Sequence, residues 1–234
     1  SYSELKEWTD CAWKHKLNYI DKIKQFKGNE HTCFGSALHT VCEELVQNKG
    51  QEQDFELLFE QEFIKNLQRV KESSPNIEFS NDLITSMRTQ GKHIIQFILP
   101  ALKKHSVEEQ LYEPIENDKV DKKFKGFIDL IIYTPDTKKY HIIDWKTCSW
   151  GWDSRKKSDK MITYQLTLYK HFWAKKHGKN YNDIITHFAL LKRTANKNNV
   201  EIFKVTNGEK KIGNALKLLN KAVYNINKCN HVKN

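Results

Sequence analysis

No apolar run in the chain approaches the length needed to cross a bilayer, and the opening Ser1-Tyr-Ser-Glu-Leu-Lys-Glu is too polar for a signal peptide. The chain does not begin with methionine, and a trimmed or processed start is the expectation. Internal repeats, low-complexity tracts and long linkers are also missing. Cysteine is scarce: Cys11, Cys33, Cys42, Cys148 and Cys229 are odd in number, scattered, and include no C-x-x-C pair. That pattern argues against a zinc site and for a cytoplasmic or other reducing compartment. An iron–sulfur cluster needs four well-placed thiolates, and near the C-terminus Cys229 stands alone. Acidic residues are in deficit, 29 against 39 Lys and Arg, and the resulting net charge of +10 favours a polyanionic partner.

What is present is ordinary for a globular protein: 38% hydrophobic residues, 12% aromatics, and 234 residues, enough to bury a substantial core. Helical periodicity is read at 2–20, with Leu5, Trp8, Ala12 and Leu17 on one side. It recurs at 35–48, from Phe55 to about Ser73, and at 80–105 with Leu83, Met87, Ile94, Ile98 and Leu102 inward. Strand signals follow at 107–115 and in a hairpin at about 122–147, then a helix at 159–177 and strands at 184–191 and 200–205. Ile212, Leu216, Leu219, Val223 and Ile226 mark a final helix. The expectation is a single α/β domain over 1–234. Residues 1–105 form a mainly helical elaboration carrying His39, and 106–234 a mixed sheet flanked by helices, carrying Asp129, Asp144 and Lys146.

The hairpin holds the most informative residues. Gly126-Phe-Ile-Asp129-Leu-Ile-Ile-Tyr133 and Tyr140-His-Ile-Ile-Asp144-Trp-Lys146-Thr147 read as buried strands, yet carry two aspartates and a lysine. Burying an ionised carboxylate is costly unless a cation or hydrogen-bond donors compensate it. A turn centred on Pro135-Asp136 sets Asp129 opposite Ile142 and Phe127 opposite Asp144. Asp129 and Asp144 then become diagonal neighbours roughly 7–8 Å apart, on one face with Lys146. Ile128, Leu130, Ile132 and Ile143 fall on the other face, which implies a sheet covered on both sides. Two converging carboxylates with a lysine suggest a divalent metal site, whereas a plain Asp–Lys pair would leave Asp129 without a partner. Other D-x-K and E-x-K matches, such as Asp121-Lys-Lys123, Asp136-Thr-Lys138, Glu4-Leu-Lys6 and Glu209-Lys-Lys211, lie outside apolar runs and read as solvated turns or helix surfaces.

Further residues could join this centre. His39 and Glu43 share a helix face that Gly35 opens, and imidazole ligates metals or donates to phosphate, although a lone histidine also reads as core or surface. Gln165 and Tyr169 share a face of the helix after the hairpin, where a simple surface pair is the alternative. Glu113 near the end of the first strand is a candidate third carboxylate, with a solvated strand end as its alternative. The loop with Trp150, Trp152, Arg155, Lys156 and Lys157 interleaves rings with cations, a pattern that holds single-stranded nucleic acid by stacking and phosphate contact. Alternatively, one tryptophan packs beneath the loop and the charges are solvated.

Five short matches in order give the chain a resemblance to the RecB-like branch of the PD-(D/E)xK nuclease superfamily. They are Ser1-x-Ser3-x-Leu5 followed by Cys11, Gly35-x-x-x-His39-x-x-x-Glu43, Gly126-x-x-Asp129, Asp144-Trp-Lys146-Thr147 and Gln165-x-x-x-Tyr169. Cluster-bearing relatives use one N-terminal and three C-terminal cysteines; Cys11 fits the first place and the other three are missing. The resemblance is therefore to cluster-free phage and mitochondrial exonucleases, with a bacterial or phage origin favoured. It implies a restriction-endonuclease-like core, helix–three strands–helix–strand. It also implies one or two Mg²⁺ or Mn²⁺ ions on Asp129, Asp144 and the Trp145 backbone carbonyl, with His39 at the metal site, and no iron–sulfur cluster. Lys146 is expected to orient the attacking water, and Gln165 and Tyr169 to position Lys146 or the scissile strand. The expected activity is an exonuclease on DNA with a single-stranded portion, in replication, repair or recombination. The alternatives are an endonuclease of the same superfamily, a hydrolase of small phosphoesters and a non-catalytic nucleic-acid-binding scaffold.

Overall fold

Hydrophobic periodicity changes from helical to alternating near residue 107, and the secondary structure changes with it. The computed structural model describes residues 1–23, 28–47, 54–102, 107–115, 122–195 and 197–233, without the side chains of 100–102, 107 and 108. The expected helix ends at 48 and 105, the side chain of Leu102, and Asp121 lie outside these residues.

Three helices precede the strands beyond residue 29: α3 (Glu30–Gln47), α4 (Phe55–Ser73) and α5 (Asn81–Leu102). The expected helix over 2–20 is instead broken into α1 (Tyr2–Asp10), α2 (Ala12–His15) and a π-helical turn over Lys16–Ile20. Cys11 between them is extended, at φ −163° and ψ 112°. The break lets His15, fully buried, turn back to within 3.1 Å of the Glu4 carboxylate, a contact a straight helix would not make across eleven residues. Likewise α3 starts five residues before Gly35, where Asn29 Oδ1 accepts from the Thr32 N–H at 3.0 Å. Gly35 therefore does not open this helix; it lies inside it.

The strands are β1 (Val107–Pro114), β2 (Lys123–Thr134), β3 (Lys139–Cys148), β4 (Ile184–Lys192) and β5 (Val200–Val205), hydrogen-bonded in that order. Only β3 and β4 are parallel. The crossover between them is a short helix α6 (Ser154–Ser158) and the long α7 (Lys160–His177), and α8 (Glu209–Asn227) closes the chain. The α6 turn, capped by Asp153, was not legible in the basic loop. Helix, three strands, helix and strand thus follow the expected order in an α/β fold with an N-terminal helical region.

Both faces of the sheet are covered, as its apolar content requires. On one side Leu111, Phe124, Ile128, Ile131, Ile142, Phe188 and Leu190 pack with α1, α7 and α8. On the other, Leu130, Ile143, Trp145, Ala189 and Leu191 pack with α3, α4 and α5. Alternation holds except at one place: β2 advances three residues, Ile128 to Ile131, while β1 advances two. This extra residue is a β-bulge at Asp129-Leu130. It turns Ile128 toward the α7 side, against the expectation that it shares a face with Leu130 and Ile143.

Gly91 of α5 crosses the buried ring of Phe59 on α4 so closely that a Cβ would overlap it. Gly91→Ala gains about 1 kcal/mol of helix propensity but forces overpacking that costs about 3 kcal/mol. The expected net loss of about 2 kcal/mol should lower the thermal midpoint by several degrees; an unchanged midpoint would contradict the contact.

Candidate active site

The geometry of the site begins in the turn between β2 and β3. The loop is Pro135 to Lys138, closed by Lys138 N–H donating to Pro135 O at 3.2 Å, with Lys138 in the left-handed region at φ +54°. Its centre lies one residue later than the Pro135-Asp136 expected from sequence. The pairing consequently runs from Thr134 with Lys139 to Leu130 with Ile143, two residues away from the expected register. A shift of two preserves faces, so the grouping of aspartates survives while their relation changes. Continued one step, this register sets Asp129 against Asp144 directly rather than diagonally.

Regular pairing stops at that step, where the bulge begins, and a side chain takes over. Asp129 Oδ2 accepts from the Trp145 backbone N–H at 2.7 Å. Its Oδ1 is turned toward His39 of α3, whose Nδ1 is 3.6 Å away, beyond hydrogen-bonding distance. Burial alone would lower the His39 pKa, but the neighbouring Asp129 carboxylate outweighs it and raises the ring above its ordinary value.

Asp144 is only 2% exposed. Its Oδ1 accepts from Gln165 Nε2 at 2.8 Å, and its Oδ2 pairs with the Lys146 ammonium. That second oxygen is buried and accepts no hydrogen bond of good geometry. Burial, reinforced by Asp129, overrides Lys146 and raises the carboxyl from 3.8 to about 6. The same Gln165 amide donates to the Tyr169 hydroxyl at 3.2 Å. Burial first, then the Asp144 charge, holds that phenol well above its usual value, so it stays protonated. Gly126 makes room for the ring: a Cβ there would lie 2.7 Å from Tyr169 Cε1. Gly35 does the same between α3 and β3, 3.2 Å from Thr147 Oγ1.

Lys146 extends over Phe188, its ammonium 5.8 Å from the ring centre. Trp152 packs edge-on against Phe188 and Phe203, at 5.3 and 6.0 Å. Trp152 therefore props the ring beneath the lysine instead of standing free in the loop, and Lys156 sits over its other side at 4.8 Å. Lys157 is paired with Glu201. Trp150 is the ring the loop presents, 78% exposed, with Arg155 and Lys156 also at the surface. The start of the loop is pinned to the residues that follow β4, Arg193 N–H donating to Cys148 O at 2.8 Å and Thr194 N–H to Ser149 O at 3.1 Å.

Glu113 is not part of the centre. It pairs with Phe124, five residues along β2 from Asp129, or about 16 Å at the strand rise. Tyr2, in contrast, was missed. Its hydroxyl is buried without a hydrogen-bond partner, and burial together with the charges of Asp159, Asp10, Tyr169 and Asp144 raises its pKa far above the ordinary value. Its only sequence signal was its place between Ser1 and Ser3.

The donor set suits a hard divalent cation: two neighbouring carboxylates, Asp129 and Asp144, with Lys146 beside them. Cys42 is buried beside Asp129 and Glu43, and burial first keeps its thiol protonated. Among the described residues no three His, Cys, Asp or Glu side chains converge tightly enough to form a closed cage. Such a cation would rest on Asp129, Asp144 and backbone oxygen, with remaining positions open.

Between about pH 4 and pH 6 the folded chain retains the Asp144 proton that the unfolded chain has released, so stability falls as pH rises through that window. Above it the penalty is fully present. Asp144→Asn should therefore raise the thermal midpoint at pH 7.5, by the equivalent of about 1–3 kcal/mol, with the gain vanishing below pH 4. A lower midpoint at pH 7.5 would show that the carboxylate is fully compensated without a cation.

No curated protein matches the chain. A sequence model of the PD-(D/E)XK nuclease superfamily matches residues 1–229, nearly the whole length, including the β2–β3 carboxylates, Lys146 and α7. With that match and the five-stranded sheet that carries these side chains, the chain belongs to the PD-(D/E)XK nuclease superfamily.

Proposed function

We propose that the protein is a Mg²⁺- or Mn²⁺-dependent deoxyribonuclease of the RecB-like, cluster-free kind, acting as an exonuclease on DNA ends. The observation that carries this is Asp144: a carboxylate only 2% exposed, beside a second carboxylate, Asp129, and ion-paired with Lys146. A structural Asp144–Lys146 ion pair does not need the second carboxylate.

In this reading Asp129, Asp144 and the Trp145 carbonyl would hold the cation, and His39 would contribute to the metal site. A bound divalent cation supplies charge stabilisation for the scissile phosphate and for the attacking water. Lys146 leaves its ion pair with Asp144 to orient that water and to offset phosphate charge. Gln165 holds Asp144 Oδ1 in place, and the protonated Tyr169 hydroxyl fixes the Gln165 amide. Trp150, Arg155 and Lys156 line the approach, with the exposed indole available to stack on a base. Roles in replication, repair or recombination fit an end-directed DNA nuclease.

Lys146→Ala should reduce cleavage of end-labelled DNA by about 100-fold or more, leaving DNA binding largely intact. Cleavage at the wild-type rate would remove Lys146 from the chemistry. Linear DNA should be degraded and covalently closed circular DNA spared, with chelator stopping the reaction; cutting of both would assign an endonuclease instead.

A further inference from the structure

Beyond the pinned loop, the chain exposes a second surface combining rings and cations. Along the free part of β2, residues alternate strictly up to the bulge: Phe124, Gly126 and Ile128 are buried toward α7, while Lys123, Lys125 and Phe127 are exposed on the opposite face. The antiparallel register lays Tyr112 of β1 against Lys125, and Gln110 against Phe127, on that same exposed face. Tyr112, on the edge strand, is 58% exposed and Phe127, on the neighbouring strand, 47%. Lys123 lies 4.9 Å over the Tyr112 ring and Lys125 5.3 Å over Phe127. Neither lysine has a carboxylate partner among the described residues.

The stripe leads to the Asp129 side of the active centre, where that carboxylate turns toward α3, whereas Asp144 is held from α7. Phe127 is two residues before Asp129 on the same strand, and Lys123 is six, so the stripe leads away from the carboxylates for about 20 Å. Its face is the one covered further along by α3, the helix that brings His39 to Asp129. A single nucleic-acid strand satisfies both chemistries, because bases stack on rings while phosphates meet ammonium groups.

We propose that the exposed face of β1 and β2, carrying Tyr112, Lys123, Lys125 and Phe127, is a track for single-stranded DNA that guides the substrate strand into the Asp129–Asp144 centre. The proposal rests on the nuclease reading of that centre. Phe127 and Tyr112 supply stacking platforms and the lysines phosphate contacts, so the track is sequence-tolerant. The bulge that aims Asp129 also marks where the track ends.

The test uses the full chain carrying Lys146→Ala, so that the strand persists, with a fluorescein-labelled oligothymidylate read by anisotropy. Adding Phe127→Ala with Tyr112→Ala should weaken binding at least tenfold. Adding Lys123→Ala with Lys125→Ala should make the salt dependence, log K against log salt, shallower by about 1.4. Both pairs are at the surface, and circular dichroism and the thermal midpoint check that the fold is kept. Unchanged affinity and slope in the two folded variants would overturn the track and mark the stripe as a solvated hairpin surface. Cleavage by Lys146→Ala at the wild-type rate, seen as loss of the label, would instead overturn the nuclease assignment of the centre.

Discussion

A desolvated carboxylate, Asp144, set against a second carboxylate is the constraint from which the rest of the site follows. In the sheet interior such a pair raises its own proton affinity, and burial and Asp129 together move Asp144 to about 6. The chain answers with few groups. Lys146 neutralises one oxygen, Gln165 holds the other, and Asp129 is tied to the Trp145 N–H. Proteins tolerate such local conflict at functional sites and offset it through the surrounding fold.

That surrounding fold is organised to hold these few atoms. Helix α7 is buried nearly all round and capped at both ends, by Asp159 and by Gly178 at φ +59°, so Gln165 and Tyr169 come from a rigid element. Glycine allows two close approaches at the site, Gly126 beneath Tyr169 and Gly35 against Thr147. Trp152, Phe188 and Phe203 form an aromatic support under Lys146. The bulge ends regular pairing at Asp129 and lets its two oxygens turn to different neighbours, one in β3 and one on α3.

Much of this was legible in the amino-acid sequence, for physical reasons that differ by residue. The aspartates and Lys146 stood out because ionised groups in apolar strands need explanation, and a strand period of two kept Asp144 and Lys146 together even though the register was two residues off. That error came from the turn: Lys138, not a glycine or asparagine, takes the left-handed position, and propensity gives no warning of it. The bulge was hidden too, since Asp-Leu-Ile-Ile reads as plain strand. Cys11 breaks the first helix without proline or glycine, because the compensation is tertiary, through His15 and Glu4. Tyr2 and Trp152 acquire meaning only from neighbours distant in sequence, whereas Glu113 was set aside only once the β1–β2 register was known.

If Asp129 and Asp144 form a cation site at the end of regular β2–β3 pairing, calorimetric titration of the full chain with Mn²⁺ at pH 7.5 reads it out. Saturable binding is expected in the wild type and retained in Lys146→Ala, weakening toward pH 5 as protons compete for Asp144, and lost in Asp129→Asn and Asp144→Asn. Equal heats in the wild type and in Asp144→Asn would contradict it.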